Sequence, residues 1–278
     1  MKIAVFVVAA TLALILLGLG IWRATDHRAD RREATRLLAL RHEDPPRFSK
    51  DMVKDLPEPA RRFFHFAIQD GTPLHRVAEI SMTGQFGMGT ATAPNYLPMT
   101  AEQVLAAPGG FIWKMSAGRG AMRVSGSDTA GWTRFWLAGL VPVARTGGTA
   151  DHALSGFGRA ISEAVFWTPA AVLPGPGVVW SAVDDSTARV TVEHGSLRQS
   201  VDVTVNEDGR PERIVFQRWS DANAEKEFRL QPFGGTLSAF RAFEGFMLPT
   251  HVEAGNFFGT EDYFAFFIAD VTAVRFAP

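Results

Sequence analysis

Glu163 is the acid whose surroundings most invite chemistry. It lies one turn before Trp167, in a run with Ala160, Ile161, Ala164 and Phe166. Burying an ionised acid among such residues is costly unless a cation pairs with it. The candidate cations are Arg123, Arg134 and Arg218, each on an alternating stretch. One reading is an ion pair that ties a helix to a sheet. A sharper one has Glu163 orient the polar head of an apolar ligand. An enzymatic alternative uses Glu163 as general acid or base on a lipid-like substrate.

Other constellations are weaker. His251 and Glu253 share one face of a strand-like run, but no further ligand is tied to them by spacing, so no metal site is expected. Asp151-His152 with Ser155 lacks the glycine-flanked elbow of a serine hydrolase, and Asp151 reads as a helix N-cap. Gly84-Gln85-Phe86-Gly87-Met88-Gly89 does not join a strand to a helix, so its glycines read as permitting sheet curvature rather than cradling phosphate. The absence of cysteine excludes a disulfide framework, a thiolate metal site and a thiol nucleophile. No cofactor is expected. Trp113, Trp132, Trp136, Phe166, Trp167, Phe264 and Phe266 supply large apolar rings for a core or a pocket, while Tyr occurs only 2 times.

The elements that position these residues begin with an anchor. Ile3–Trp22 is an uncharged apolar run, about 30 Å long as a helix at ~1.5 Å per residue. Gly20-Ile21-Trp22-Arg23 offers no small-residue cleavage site, which favours an uncleaved transmembrane anchor over residues 1–22. Residues 23–55 read as a charged membrane-proximal stalk, with a short helix over Arg31–Leu40. It lies either along anionic head groups or free in solvent. Arg23, Arg28, Arg31, Arg32, Arg36 and Arg41 follow the run and only Lys2 precedes it, which by the positive-inside rule turns the C-terminal part toward the cytoplasm. Residues 23–62 hold 11 Lys/Arg and 8 Asp/Glu while the whole chain carries −1, so residues 63–278 are net acidic. That excludes a basic nucleic-acid footprint.

Residues 56–278 read as one domain. Leu56–Arg62 opens an amphipathic helix that buries Phe63, Phe64, Ala67 and Ile68. Period-two runs then cover Val77–Met88, Met99–Ala106, Gly110–Ala117, Ala121–Ser127 and Thr133–Val141. A helix over Asp151–Phe166 and a short helical segment over Thr168–Leu173 follow. Alternation resumes through Val178–Val183, Ala188–His194, Leu197–Asn206, Pro211–Trp219, Glu225–Pro232, Ser238–Phe243, Leu248–Phe257 and Tyr263–Phe276. The pattern predicts an α+β fold with a strongly curved antiparallel sheet of about 11–13 strands and two or three helices on the concave side. Tyr263–Ile268 is apolar on both faces and needs cover on both.

Ala160–Pro169 with Leu173-Pro174, Val205–Arg210 and Phe240–Glu253, together with Leu56–Arg62 and Phe111–Trp113, resemble a bacterial domain family of unknown function over roughly residues 56–276. Several pieces recur in Lol-type lipoprotein carriers (LolA, LolB and LppX). The resemblance implies a half-barrel with helices across its mouth, a cavity for acyl chains and a periplasmic location. It supplies no catalytic residues. The function expected is therefore a membrane-anchored, non-enzymatic module of the cell envelope that binds a lipid, acyl chain or other apolar ligand. Its partner would be the inner membrane, through residues 3–22. Trp113, Arg123, Trp132, Trp136, Glu163, Phe166, Trp167, Arg218, Phe264 and Phe266 are the candidate ligand-binding residues. A packed protein-interaction module without ligand is the remaining alternative.

Overall fold

The computed structural model describes residues 2–276. Its first element, α1 (Lys2–Leu38), is one helix of 37 residues. The sequence after Trp22 is rich in Arg and Ala and free of Gly and Pro up to residue 38, so nothing interrupts helical propensity there. The short helix expected over Arg31–Leu40 is thus the end of the membrane-length helix. Residues 3–18 are exposed along the helix, Trp22 at the end of the apolar run touches Trp136, and Asp26, Asp30 and Leu37 are buried against the sheet. The segment read as a stalk is, as far as Leu38, a docked strut.

After a 3₁₀ turn at Lys50–Val53, α2 (Glu58–Ala67) carries Pro59 in its first turn, where its missing N–H costs nothing. It buries Ala60, Phe63, Phe64 and Ala67. The chain then runs through β1 (Ala78–Gly87), β2 (Tyr96–Leu105), β3 (Phe111–Ala117), β4 (Val124–Thr129), β5 (Trp132–Leu137) and β6 (Val141–Gly147) to one edge of the sheet. α3 (Ala150–Trp167) and a 3₁₀ turn at Pro169–Val172 carry it to the other edge. It winds back through β7 (Val178–Ala182), β8 (Thr187–His194), β9 (Leu197–Val205), β10 (Pro211–Ser220), β11 (Arg229–Phe243), β12 (Phe246–Asn256) and β13 (Phe264–Arg275). There β13 pairs with β1 and joins the two halves into one antiparallel sheet of 13 strands. The fold is α+β, as the sequence predicts.

Two strands differ from the sequence reading. Thr133–Val141 is not one strand, because a turn with Ala138 and Gly139 at positive φ separates β5 from β6. Conversely, Pro232-Phe233-Gly234-Gly235 looks like a turn but runs straight through the middle of β11. Its glycines serve close approach: a Cβ on Gly235 would lie 2.5 Å from the Glu253 carbonyl oxygen. Gly84 plays the same part between β1 and β13. It sits at φ +148, and a Cβ there would lie 2.0 Å from the Ile268 carbonyl oxygen. The glycines of 84–89 serve close approach rather than a phosphate cradle: Gly87 faces the Phe264 ring, and Gly89, past the end of β1, faces the Ala93 carbonyl.

The main core lies on the sheet's inner face. α2 covers β7–β9 there, with Phe64 edge-on to Trp180 at 5.3 Å, and α3 lies across β9 and β10. The outer face carries a small second cluster in which Leu37 packs on Val77, Val104, Ala106 and Ile112. Period two explains the split: Phe111 and Trp113 point inward, and Ile112 between them points out toward α1.

Candidate functional site

Beneath α3 the curl of the sheet encloses a cavity of about 200 Å³. Most of its wall is apolar: Phe86, Trp113, Phe135, Phe166, Trp167 and Phe216 contribute rings or ring edges. Phe266 and Phe267, neighbours in sequence, both line it. A β-bulge allows this. Ala254 pairs with Phe267 and Asn256 with Phe264, so two residues of β13 oppose Gly255 alone. That is the structural answer to a strand apolar on both faces.

One end of the cavity is polar. Arg159 donates from Nε to Glu163 at 2.7 Å and from Nη1 to Asp128 at 2.6 Å. Gln103 donates to the other Glu163 oxygen at 2.5 Å. The Arg159 guanidinium also lies 4.5 Å from the Phe111 ring centre and 4.9 Å from that of Trp113. Burial disfavours its charge, but Glu163 and Asp128 outweigh burial and raise its pKa above the ordinary arginine value. The partner of Glu163 is therefore Arg159, four residues before it on the same helix, and not Arg123, Arg134 or Arg218. The i, i+4 spacing was the available signal.

Arg218 is different. It lies over the Phe233 ring at 5.0 Å, and its Nε has no acceptor. Among the described residues no carboxylate forms a salt bridge with it. Burial, then repulsion from Arg159, lowers its pKa from the ordinary arginine value. The indole N–H groups of Trp113 and Trp167 also lack acceptors. The unmatched groups along this wall thus include three donors, while its two carboxylates are held by Arg159. Arg218, Arg159, Asp128, Thr133 and Phe266 also border a wider polar cleft with Thr149, His152, Ser155 and Asn256. They form the seam between an apolar chamber and an open polar one.

Of the candidate ligand residues, Trp113, Glu163, Phe166, Trp167, Arg218 and Phe266 line the cavity. Trp132 and Trp136 do not. In β5 the odd residues Thr133 and Phe135 face inward, so Trp132, Arg134 and Trp136 face α1. Arg123 is exposed beside Arg23 at that outer face. Phe264 packs on Tyr96 at 5.6 Å, and Gly87 leaves room for its ring. Asp128, Phe86, Gln103 and Arg159 were not among the candidates, although all but Gln103 line the cavity and Gln103 holds Glu163.

The other constellations resolve as structure. Thr149, not Asp151, caps α3, accepting from the His152 N–H at 3.1 Å. Asp151 accepts from the Trp219 indole at 2.8 Å, and His152 Nε2 lies 3.1 Å from the Thr129 carbonyl. His251 lies between Asp270 at 2.7 Å and Glu253 at 3.1 Å, so both ring nitrogens are taken. The hydrogen bond with Asp270, helped by Glu253 and opposed by burial, raises its pKa above the usual imidazole value. No group of His, Asp and Glu suited to a metal occurs among the described residues.

On the outer face, Asp26 accepts from Arg145 at 2.7 and 3.0 Å and from the Trp136 indole at 2.9 Å. Burial opposes its charge, yet these hydrogen bonds hold its carboxyl below the usual range. Asp30 accepts from Ser127 at 2.7 Å. These contacts, with Leu37, fasten α1 to β3–β6.

A model for a family of unknown function, DUF6544, matches residues 46–268, and the chain belongs to that family. Comparison with curated proteins finds no match. Among solved structures, a LolA-superfamily protein from Nitrosomonas europaea is similar at 12% identity, covering 78% of this chain and 91% of its own, with TM-score 0.37. A putative outer-membrane lipoprotein-sorting domain from Vibrio parahaemolyticus is similar at 9% identity, covering 81% and 91%, with TM-score 0.36. A DUF1329 protein from Desulfovibrio piger is similar at 12% identity, covering 72% and 85%, with TM-score 0.39.

Proposed function

We propose that this DUF6544 member is a single-pass inner-membrane protein of the bacterial cell envelope that holds an acyl chain bearing an acceptor-rich head group in the cavity under α3. The observation that carries the reading is the cavity's asymmetry: an apolar wall at one end, and at the other a seam where Arg218 has no salt-bridge partner among the described residues and its Nε no acceptor.

Magnitudes narrow the ligand. A volume of about 200 Å³ lies below the roughly 300–1,000 Å³ of pockets that take drug-sized molecules. Taking the ~30 Å³ of a water molecule as the unit, it holds roughly six small groups. A segment of one acyl chain fits there. Burying six methylenes is worth about 5 kcal/mol at ~0.8 kcal/mol each, which alone gives a Kd near the millimolar range. Retention then depends on the head group, and a carboxylate or ester oxygen is what Arg218 and the two indoles lack.

Anchoring rests on α1. Its apolar part has the length of a bilayer core, and Trp22 packs edge-on against Trp136 at 5.5 Å, so the end of the run belongs to the folded domain. The periplasmic side is proposed on the resemblance to Lol-type carriers. The arginines after the span favour the cytoplasmic side, and protease accessibility in spheroplasts decides between them.

The direct test is quenching of tryptophan fluorescence by brominated fatty acids, on the full chain in nanodiscs. Saturable quenching that W113F/W167F lacks, and that R218Q weakens without moving the unfolding midpoint, is the expected result. Quenching identical in all three proteins would refute the cavity as the binding site.

A further inference from the structure

We infer that two adjoining turns on the outer face, the 3₁₀ turn Gly120–Met122 and the β5–β6 turn with the start of β6, dip into the lipid interface beside α1. The inference rests on the reading of α1 as a membrane span and adds a second membrane contact to it.

The turns lie level with the end of the apolar run. Arg145 sits 4.5 Å from the Trp22 ring centre, and Arg23 donates to Ser125 at 3.0 Å. Gly139, in the β5–β6 turn, faces the Arg23 guanidinium: a Cβ there would lie 3.5 Å from it. The two turns touch, since the Ala138 N–H donates to the Arg123 carbonyl at 2.8 Å. The residues at which α1 enters the bilayer are thus the residues against which these turns pack.

Their side chains suit that position. Met122 is 70% exposed, Leu140 48%, Val141 53% and Val143 51%. One exposed apolar residue needs no explanation, but four on two touching turns beside a membrane helix form a patch. Arg119 and Arg123 flank it, and with Arg23 they form no salt bridge among the described residues. Apolar tips within a collar of unpaired arginine are the arrangement of a surface that beds into an anionic interface. The mount is also rigid. α1 runs unbroken from the span to Leu37, and Asp26, Asp30 and Leu37 fix it to the sheet, so the domain cannot swing the patch away from the bilayer.

The chain has no cysteine, so single labels are unambiguous. V141C and, on the other turn, M122C would carry an environment-sensitive dye in nanodiscs of phosphatidylethanolamine and phosphatidylglycerol with nitroxide-labelled lipid. I15C marks the span, and V179C marks an equally apolar residue, 66% exposed on the far edge strand β7. The expected result is that V141C and M122C lose most of their fluorescence, as I15C does, while V179C keeps it. Quenching of I15C with V141C and M122C behaving like V179C would overturn the interfacial contact and leave the span intact. An unquenched I15C would overturn the span itself, and the contact with it.

Discussion

Replacing Arg159 by methionine tests how the cavity wall is held together. The Arg159 side chain is 16% exposed, Glu163 12% and Asp128 17%, so the triad is largely withdrawn from water. Methionine keeps most of the packing on Phe111 and Trp113 but removes the cation that hydrogen-bonds both carboxylates. Breaking one partner of a buried pair costs about 3–5 kcal/mol, because the remaining charge is left uncompensated. Against a typical domain stability of about 5–15 kcal/mol, that loss leaves the fold marginal. Adding E163Q in the same chain removes one stranded charge and should restore about 1–2 kcal/mol, within the usual range for coupled neighbours. The assay is urea unfolding of the full chain in nanodiscs, followed by tryptophan emission. A loss below about 1 kcal/mol, the value of an exposed pair, or no recovery in the double variant, would refute the view that Arg159 holds the wall.

Three further outcomes are expected. G84A should destabilise by about 1–3 kcal/mol through backbone strain alone, with a further cost from the contact with Ile268, and a neutral substitution would show that β1 and β13 can separate there. His251 has its pKa raised by Asp270 and Glu253, so its contribution is fully present below the unfolded value of about 6.5 and fades as pH rises through the folded one. The stability difference between the wild type and H251Q should therefore shrink between pH 6 and pH 9, and a difference growing with pH would contradict the assignment. D26A removes the acceptor of Arg145 and the Trp136 indole, so hydrogen exchange across residues 23–38 should accelerate while β8–β10 stay protected. Unchanged protection of that stretch would mean that Leu37 and Asp30 suffice to dock α1.

Much of this architecture was legible in local pattern. Alternation set most strand boundaries, because a sheet packed on one face imposes period two. It also separated Phe111 and Trp113 from Ile112. It misled at 232–235, where glycines that elsewhere mark turns serve close approach of neighbouring strands. It also hid the β5–β6 turn, since Ala138 takes positive φ without a glycine's signature. At the site, the apolar residues of α3 pointed to the cavity. The alternating strands offer three arginines to Glu163, but its partner Arg159 stands one helical turn away on α3. Trp132 and Trp136 lie on the outer face, since parity fixes which residues of a strand share a face but not which face is the inner one. That depended on α1, whose charged half looked like a solvated stalk. Asp26 and Asp30 find their partners about a hundred residues later in sequence, and no local signal carries such a contact.

Native mass spectrometry of the full chain, released from its own membranes into the gas phase, should show an added mass that organic solvent removes, identified as a single-chain lipid with an acidic or ester head, retained by the wild type and lost from R218Q. A bare chain mass in every preparation, or a bound lipid kept equally by R218Q, would contradict the proposed function.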